Sequence, residues 1–373
     1  MIIQPLHGLR VLDLTLLPPG GFCSVQLADF GAEVIRIEAP ALQGQPSLVI
    51  GQIGLSRGKR SITLNHKHSN FTAILKRLAQ SSDVLIENAK PGVMEARGFG
   101  YPQAAKEAPG LIWCSITGFG QDGPYADRSG HDLSYTAFSG LLGALSPELP
   151  WHPASMLSAP LGAMMATTGI LAAVIERNRT GKGCQIDISL AEASTWLLAG
   201  TPGALKEQST GIALSPYRRL YRCADDRFIS VAATEPRTWS LLCNALAIPE
   251  LVNSLGLRGE AADAVTERLA DIFRTRPAAA WAAELGSAGA PVHAVNQGRD
   301  IVENPHYAAC AATLVVSGEN VPANPVRLVD AAGRRSGNAI SEPPLVGEHT
   351  DEVLADAGFT TAEIAEFRTI GLV

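Results

Sequence analysis

Charge is scarce in this 373-residue sequence: Asp, Glu, Lys and Arg make up 18% of it, and the net charge is −6. That acidic balance excludes broad, phosphate-driven nucleic-acid binding, so no nucleic-acid partner is expected. Hydrophobic residues reach 46%, which places the chain among globular rather than disordered proteins. The six cysteines, Cys23, Cys114, Cys184, Cys223, Cys243 and Cys310, form no CxxC pair and no metal-ligand spacing. No metal site is expected; most of the cysteines read as buried, reduced thiols of a cytoplasmic protein. The opening "MIIQPLHGLRVLDLT" has neither a basic n-region nor a sustained apolar run, so no signal peptide is read. One uncharged stretch approaches a membrane span, "LSAPLGAMMATTGILAAVI" at 157–175. Its Ala, Gly and Thr content, its Pro160 and the polar "ERNRTGKG" that follows identify a core helix, and no membrane partner is expected.

What is present alternates. "LRVLDLT", "EVIRIEA", "SITLN", "DVLIEN" and "LIWCSIT" read as apolar strands, with helical stretches such as "HSNFTAILKRLAQ" between several of them. This pattern predicts an α/β fold whose parallel sheet is covered on both faces, with ligands at the carboxyl ends of the strands. "GGFCSVQLADFGA" reads as a helix opened by its glycines, and "GCQIDISLAEASTWLLAG" as a short strand running into a helix. The polar, Gly- and Pro-punctuated segment 201–216 reads as a linker. Beyond it, "LYRCADDRFISVAAT" reads as a hairpin turned at Asp225-Asp226 that opens a smaller mixed domain. Helices are expected over "RTWSLLCNALA" and "ADAVTERLADIFRT", a strand over "APVHAVN", and a Thr-capped helix at the end.

Four clusters carry candidate chemistry. "LTLLPPGGFCS" runs a strand into a helix start without the GxGxxG or Walker pattern; a helix N-terminus there can hold phosphate, or it is an ordinary turn. Arg36, then Arg57, Lys59 and Arg60, then Lys90 follow successive strands, as cations do around a polyanionic ligand, although single surface cations are usually only solvated. His131, in "GFGQDGPYADRSGHD", is a proton acceptor or a structural cap of the next helix; Asp132 need not touch it. Glu235, in "AATEPRTW", sits where glutamates commonly stabilise a helix start.

"LADFGAEVIRIEAP", "SRGKRSITLN", "DVLIENAKPGVMEARGFG", "GFGQDGPYADRSGHD", "RNRTGKGCQIDISLAEAS" and "PPLVGEHTDEVLADAGFT" occur in this order. In these segments the chain resembles the family III CoA-transferases (the CaiB/BaiF type), and most closely the α-methylacyl-CoA racemase branch. The resemblance implies a Rossmann-like large domain, 1–200, completed by 325–373, a small α+β domain over 217–324, and an interlocked dimer. It also implies coenzyme A, carried in as acyl-CoA substrate, with Arg36, Lys59, Asn88, Lys90 and Arg97 as cofactor-binding residues. Ala96 stands where the family often has arginine, with Arg97 one place later. The implied catalytic residues are His131, Glu235 and the position of the family's aspartate, which here is Ser158. A serine supplies no carboxylate for an acyl anhydride and is no base near neutral pH without activation. The glycine-rich loop of oxalate-type transferases is missing, with "TEPRTW" in its place. The expectation is therefore proton abstraction α to the thioester, as in a racemase, epimerase or isomerase. CoA transfer, by an unusual nucleophile or as the aspartate-free partner in a heteromer, and a non-catalytic CoA-binding subunit are the alternatives.

Overall fold

The computed structural model describes residues 3–145, 153–201, 203, 205, 215–333, 336–337 and 341–373. The chain divides into two compact units, Met1–Gly211 with Ala308–Val373, and Ile212–Tyr307. Most of the linker expected at 201–216 lies outside the described residues.

In the first unit, β1 (Arg10–Asp13), β2 (Glu33–Glu38), β3 (Lys59–Thr63), β4 (Val84–Glu87), β5 (Ile112–Thr117) and β6 (Gln185–Ser189) form one sheet in the order β3-β2-β1-β4-β5-β6. Every pairing is parallel. Chain order reverses between β1 and β4, the point at which open sheets of this kind bind ligands. The helices in the first segment of this unit are, in chain order, α1 (Pro18–Asp29), α2 (Phe71–Gln80), α3 (Val93–Ala96), α4 (Tyr101–Glu107), α5 (Asp132–Phe138), α6 (Leu141–Leu145), α7 (Ser158–Thr180) and α8 (Leu190–Trp196). Successive strand residues serve opposite faces: Val11, Val34 and Ile112 pack under α1 and α7, and Leu12, Ile35 and Trp113 under α2.

The first helix starts at Pro18, two residues before the expected glycine start. Proline suits a first turn, whose N–H groups have no intrahelical partner. The uncharged 157–175 stretch forms most of α7, which is long and apolar enough to cross a membrane. It buries Ala163, Ala166, Ile170 and Ala173 against the sheet, as a core helix does. Of the six cysteines, Cys23, Cys114, Cys223 and Cys243 are buried, whereas Cys184 is exposed and Cys310 half-buried.

The second unit pairs β7 (Arg218–Arg222), β8 (Phe228–Ala232) and β9 (Val292–Ala294) as an antiparallel sheet. The β7–β8 turn carries Asp226 at φ 60, a left-handed residue of the kind tight hairpins require. Helices α9 (Pro236–Ala245), α10 (Glu260–Phe273) and α11 (Ala278–Ser287) supply Trp239, Phe273 and Trp281 to its core. Two short helices, α12 (Arg299–Val302) and α13 (Pro305–Ala309), lead out of it. The hairpin β10 (Thr313–Val316) and β11 (Glu319–Pro322), expected in the small domain, belongs instead to the large unit. Val321 packs so closely on Gly54 that a Cβ there would stand 3.1 Å away.

The chain's end returns to β3 with α14 (Thr350–Asp356) and α15 (Thr361–Thr369). The Thr350 hydroxyl accepts the Thr63 amide at 3.0 Å, and the Leu372 carbonyl accepts the Asn65 amide at 2.7 Å. Thr360 caps α15 through its hydroxyl, as the sequence predicts.

Candidate active site

A cavity of about 330 Å3 opens at the carboxyl ends of β1, β2, β3 and β4, at the β1–β4 reversal. Its polar lining is Glu38, His66, Glu87, Asn88, Lys90 and Arg97. The structure thus gathers three of the five expected cofactor-binding residues, Asn88, Lys90 and Arg97, around one opening. Asn88 accepts the Leu16 amide at 3.4 Å, joining the loops after β1 and β4.

Arg36 is buried on β2 beside this cavity rather than in its lining. Its Nη2 donates to the Leu48 carbonyl at 3.3 Å, and its Nε lies 3.5 Å from Glu38 Oε1, in ion-pair range. Neither Nε nor Nη1 has a hydrogen-bond partner among the described residues. A buried guanidinium with two unmatched donors is the chemistry an anionic group completes, and the phosphates that the resemblance implies are such groups.

Lys59 departs from expectation. Its side chain is 1% exposed, with Nζ 3.4 Å from Asp13 Oδ2 and 2.6 Å from Ser24 Oγ, and it does not line the cavity. Its strand position turns it inward, and burial holds its amine below the ordinary lysine value. Burial works to raise Asp13, but the charges of Lys59 and Arg36 and the Ser24 and Thr15 hydroxyls hold it below its usual range. Arg57 is likewise internal, paired with Asp29 at 2.7 Å.

Three lining residues, Glu38, His66 and Glu87, escaped the sequence reading. Each follows or ends a strand, so the positional signal used for the cations applied equally to them. Desolvation, with Arg97 and Lys67 nearby, lowers His66. Burial raises Glu87 above the usual carboxyl value, against hydrogen bonds from Ser115 and from the Ala89 amide at 2.6 Å.

His131 is the N-cap of α5, with extended backbone (φ −130, ψ 178), and it is exposed. The loop delivering it is packed by aromatic rings: Phe119 meets Tyr125, Tyr135 and Phe138 edge-on at 5.2–5.8 Å. The Tyr135 hydroxyl donates to the Gly130 carbonyl at 2.6 Å. Lys90 reaches from the cavity rim to this loop, with Nζ 3.1 Å from Ser129 Oγ and 3.3 Å from the Asp127 carbonyl. The cavity and the histidine loop are therefore joined through one side chain.

Ser158 begins α7 and is 0% exposed, its Oγ donating to Asp132 Oδ1 at 2.7 Å. Glu235, in the second unit, stands at the N-cap position of α9; its amide lies 3.3 Å from the Thr238 hydroxyl. Among the described residues no His, Cys, Asp and Glu cluster could hold a metal ion.

The site and the fold together define an α/β protein with a polar-lined cavity at the strand-order reversal of its parallel sheet. The CoA-transferase family III profile matches residues 6–350, and the chain belongs to that family. It is 32% identical over 377 residues to human "Alpha-methylacyl-CoA racemase", covering 98% of this chain and 96% of that one. It is 29% identical over 400 residues to human "Succinyl-CoA:glutarate CoA-transferase", covering 100% of this chain and 90% of that one. A solved CAIB/BAIF family protein from Brucella suis superposes with a TM-score of 0.81 at 26% identity, over 95% of this chain and 99% of its own.

Proposed function

We propose that this protein removes the α-proton of an acyl-CoA thioester with His131 as base, giving racemisation, epimerisation or a related isomerisation. The observation that carries the reading is the Lys90 tether, which joins the cavity rim to the loop presenting His131. Coenzyme A is held at the cavity by Asn88, Lys90 and Arg97, with Arg36 matching phosphate charge. Lys59 supports that region through Asp13 without touching ligand. The thioester carbonyl acidifies the neighbouring C–H; the imidazole takes the proton, main-chain N–H groups near the site hold the enolate oxygen, and a proton returned to the α-carbon from the other face regenerates the thioester. Glu235 is assigned as an assisting residue on its motif alone, and Glu235→Gln tests it. The protein works in the cytoplasm as a homodimer.

The transferase relative favours a second reading, transfer of CoA between carboxylic acids, alone or as one subunit of a heteromer. It requires a carboxylate nucleophile that Ser158 does not provide. The discriminating experiment compares wild-type protein with His131→Ala. His131→Ala abolishes α-proton exchange while CoA still binds, because a base acts in the transition state more than in cofactor affinity. Exchange that survives His131→Ala makes the histidine structural. CoA appearing on an added acid instead establishes the transferase reading, and CoA binding with neither reaction leaves a CoA-binding subunit.

A further inference from the structure

Helix α7 begins without a cap of its own, since Leu157 at its N-cap makes no side-chain hydrogen bond to the helix. The first amides of a helix need outside partners. Here they find them on Asp132, the first residue of α5. Asp132 Oδ2 accepts the Leu157 amide at 2.9 Å, and Oδ1 accepts the Ala159 amide at 2.8 Å and the Ser158 hydroxyl at 2.7 Å. One carboxylate takes three donors at the positive end of a 23-residue helix. His131 directly precedes it, and the His131 carbonyl accepts the opening bonds of α5 from Ser134 at 2.8 Å and Tyr135 at 3.2 Å. The backbone from which the imidazole projects is thus anchored to α7 by its immediate neighbour.

We propose that Asp132 is a positioning residue, a latch between α5 and α7 that holds His131 in its working orientation, with Ser158 a donor in that latch and not a nucleophile or base. The inference rests on the reading of His131 as base. Ser158 has no exposed surface, and its proton is directed at Asp132. A carboxylate placed at 158 would face the Asp132 carboxylate across that contact, and two like charges so close oppose each other. The aspartate implied by the racemase resemblance is therefore not restored here by Ser158→Asp alone.

The test combines amide hydrogen exchange with kinetics. Asp132→Asn keeps the shape but removes the charge and one acceptor. In that variant the Leu157 and Ala159 amides exchange about tenfold faster or more. Turnover in α-proton exchange falls about 10- to 100-fold with KM within about twofold, the signature of a displaced catalytic group rather than a lost ligand contact. Ser158→Ala, which removes one of the three donors to Asp132, lowers turnover less than Asp132→Asn does. Ser158→Asp lowers Tm, and the Asp132→Ser/Ser158→Asp double variant recovers it, as coupled neighbours do. If Asp132→Asn yields no folded protein, Asp132→Glu carries the same comparison of turnover against KM. Unchanged amide exchange means there is no latch; faster amide exchange with unaltered turnover overturns the positioning role. A Ser158→Ala loss as large as that of His131→Ala makes Ser158 catalytic and overturns its assignment. Wild-type protein without any α-proton exchange refutes the base reading first, and the amide measurement then judges the latch separately.

Discussion

Arg36, buried beside the cavity, and Glu87, in its lining, place opposite demands on their surroundings. Arg36 keeps two donors unmatched while buried, an arrangement that costs free energy until an acceptor arrives. Arg36→Ala is expected to weaken CoA binding by about 1–3 kcal/mol in calorimetry; unchanged affinity would remove Arg36 from the phosphate site. Glu87 is a buried carboxyl raised above 4.5, chiefly by desolvation. The folded state therefore binds its proton more tightly than the unfolded chain does. Its contribution is fully present below the unfolded value and is lost as pH rises toward the folded one. Glu87→Gln, which cannot ionise, gains stability relative to wild type as pH increases from 4.5. Denaturant titrations of both proteins across that range measure this difference, and a pH-independent difference contradicts it. The cations were visible in one dimension, but Arg36 lies within β2 and Lys59 opens β3, whereas Lys90 follows β4 into the cavity lining. Whether Lys59 turned outward to a ligand or inward to Asp13 depended on strand facing, which the short segment "SRGKRS" left open.

The loop that carries His131 is an element built around close approach. A Cβ on Gly118 would stand 2.3 Å from the Tyr135 ring, and one on Gly130 would stand 2.7 Å from it. Gly130→Ala must push the ring or the backbone aside, and overpacking of this kind costs about 1–3 kcal/mol. The expected outcome is a lower Tm together with reduced α-proton exchange, because Tyr135 also bonds the Gly130 carbonyl. A variant with native Tm and native exchange would show that the aromatic packing does not govern the loop. The sequence displayed the glycines and the histidine but not the Asp132 contacts, because residues 132 and 157–159 meet only after the helices pack.

At the scale of the molecule, the alternation of strands and helices made the parallel sheet legible, since strands buried on both faces read as continuous apolar runs. The second boundary was less legible: nothing in the composition of 308–324 shows that its hairpin packs on Gly54. Light scattering at micromolar concentration is expected to return twice the chain mass, with an interface well above about 2,000 Å2; a monomer contradicts the proposed homodimer. Proton removal beside a thioester has one direct measurement. Purified wild-type protein is incubated with a panel of α-branched acyl-CoAs in deuterium oxide, and each recovered thioester is examined by mass spectrometry and NMR. One deuterium is expected at the α-carbon of at least one thioester, dependent on His131. Recovery of every thioester unlabelled, with CoA bound at the cavity, would contradict it.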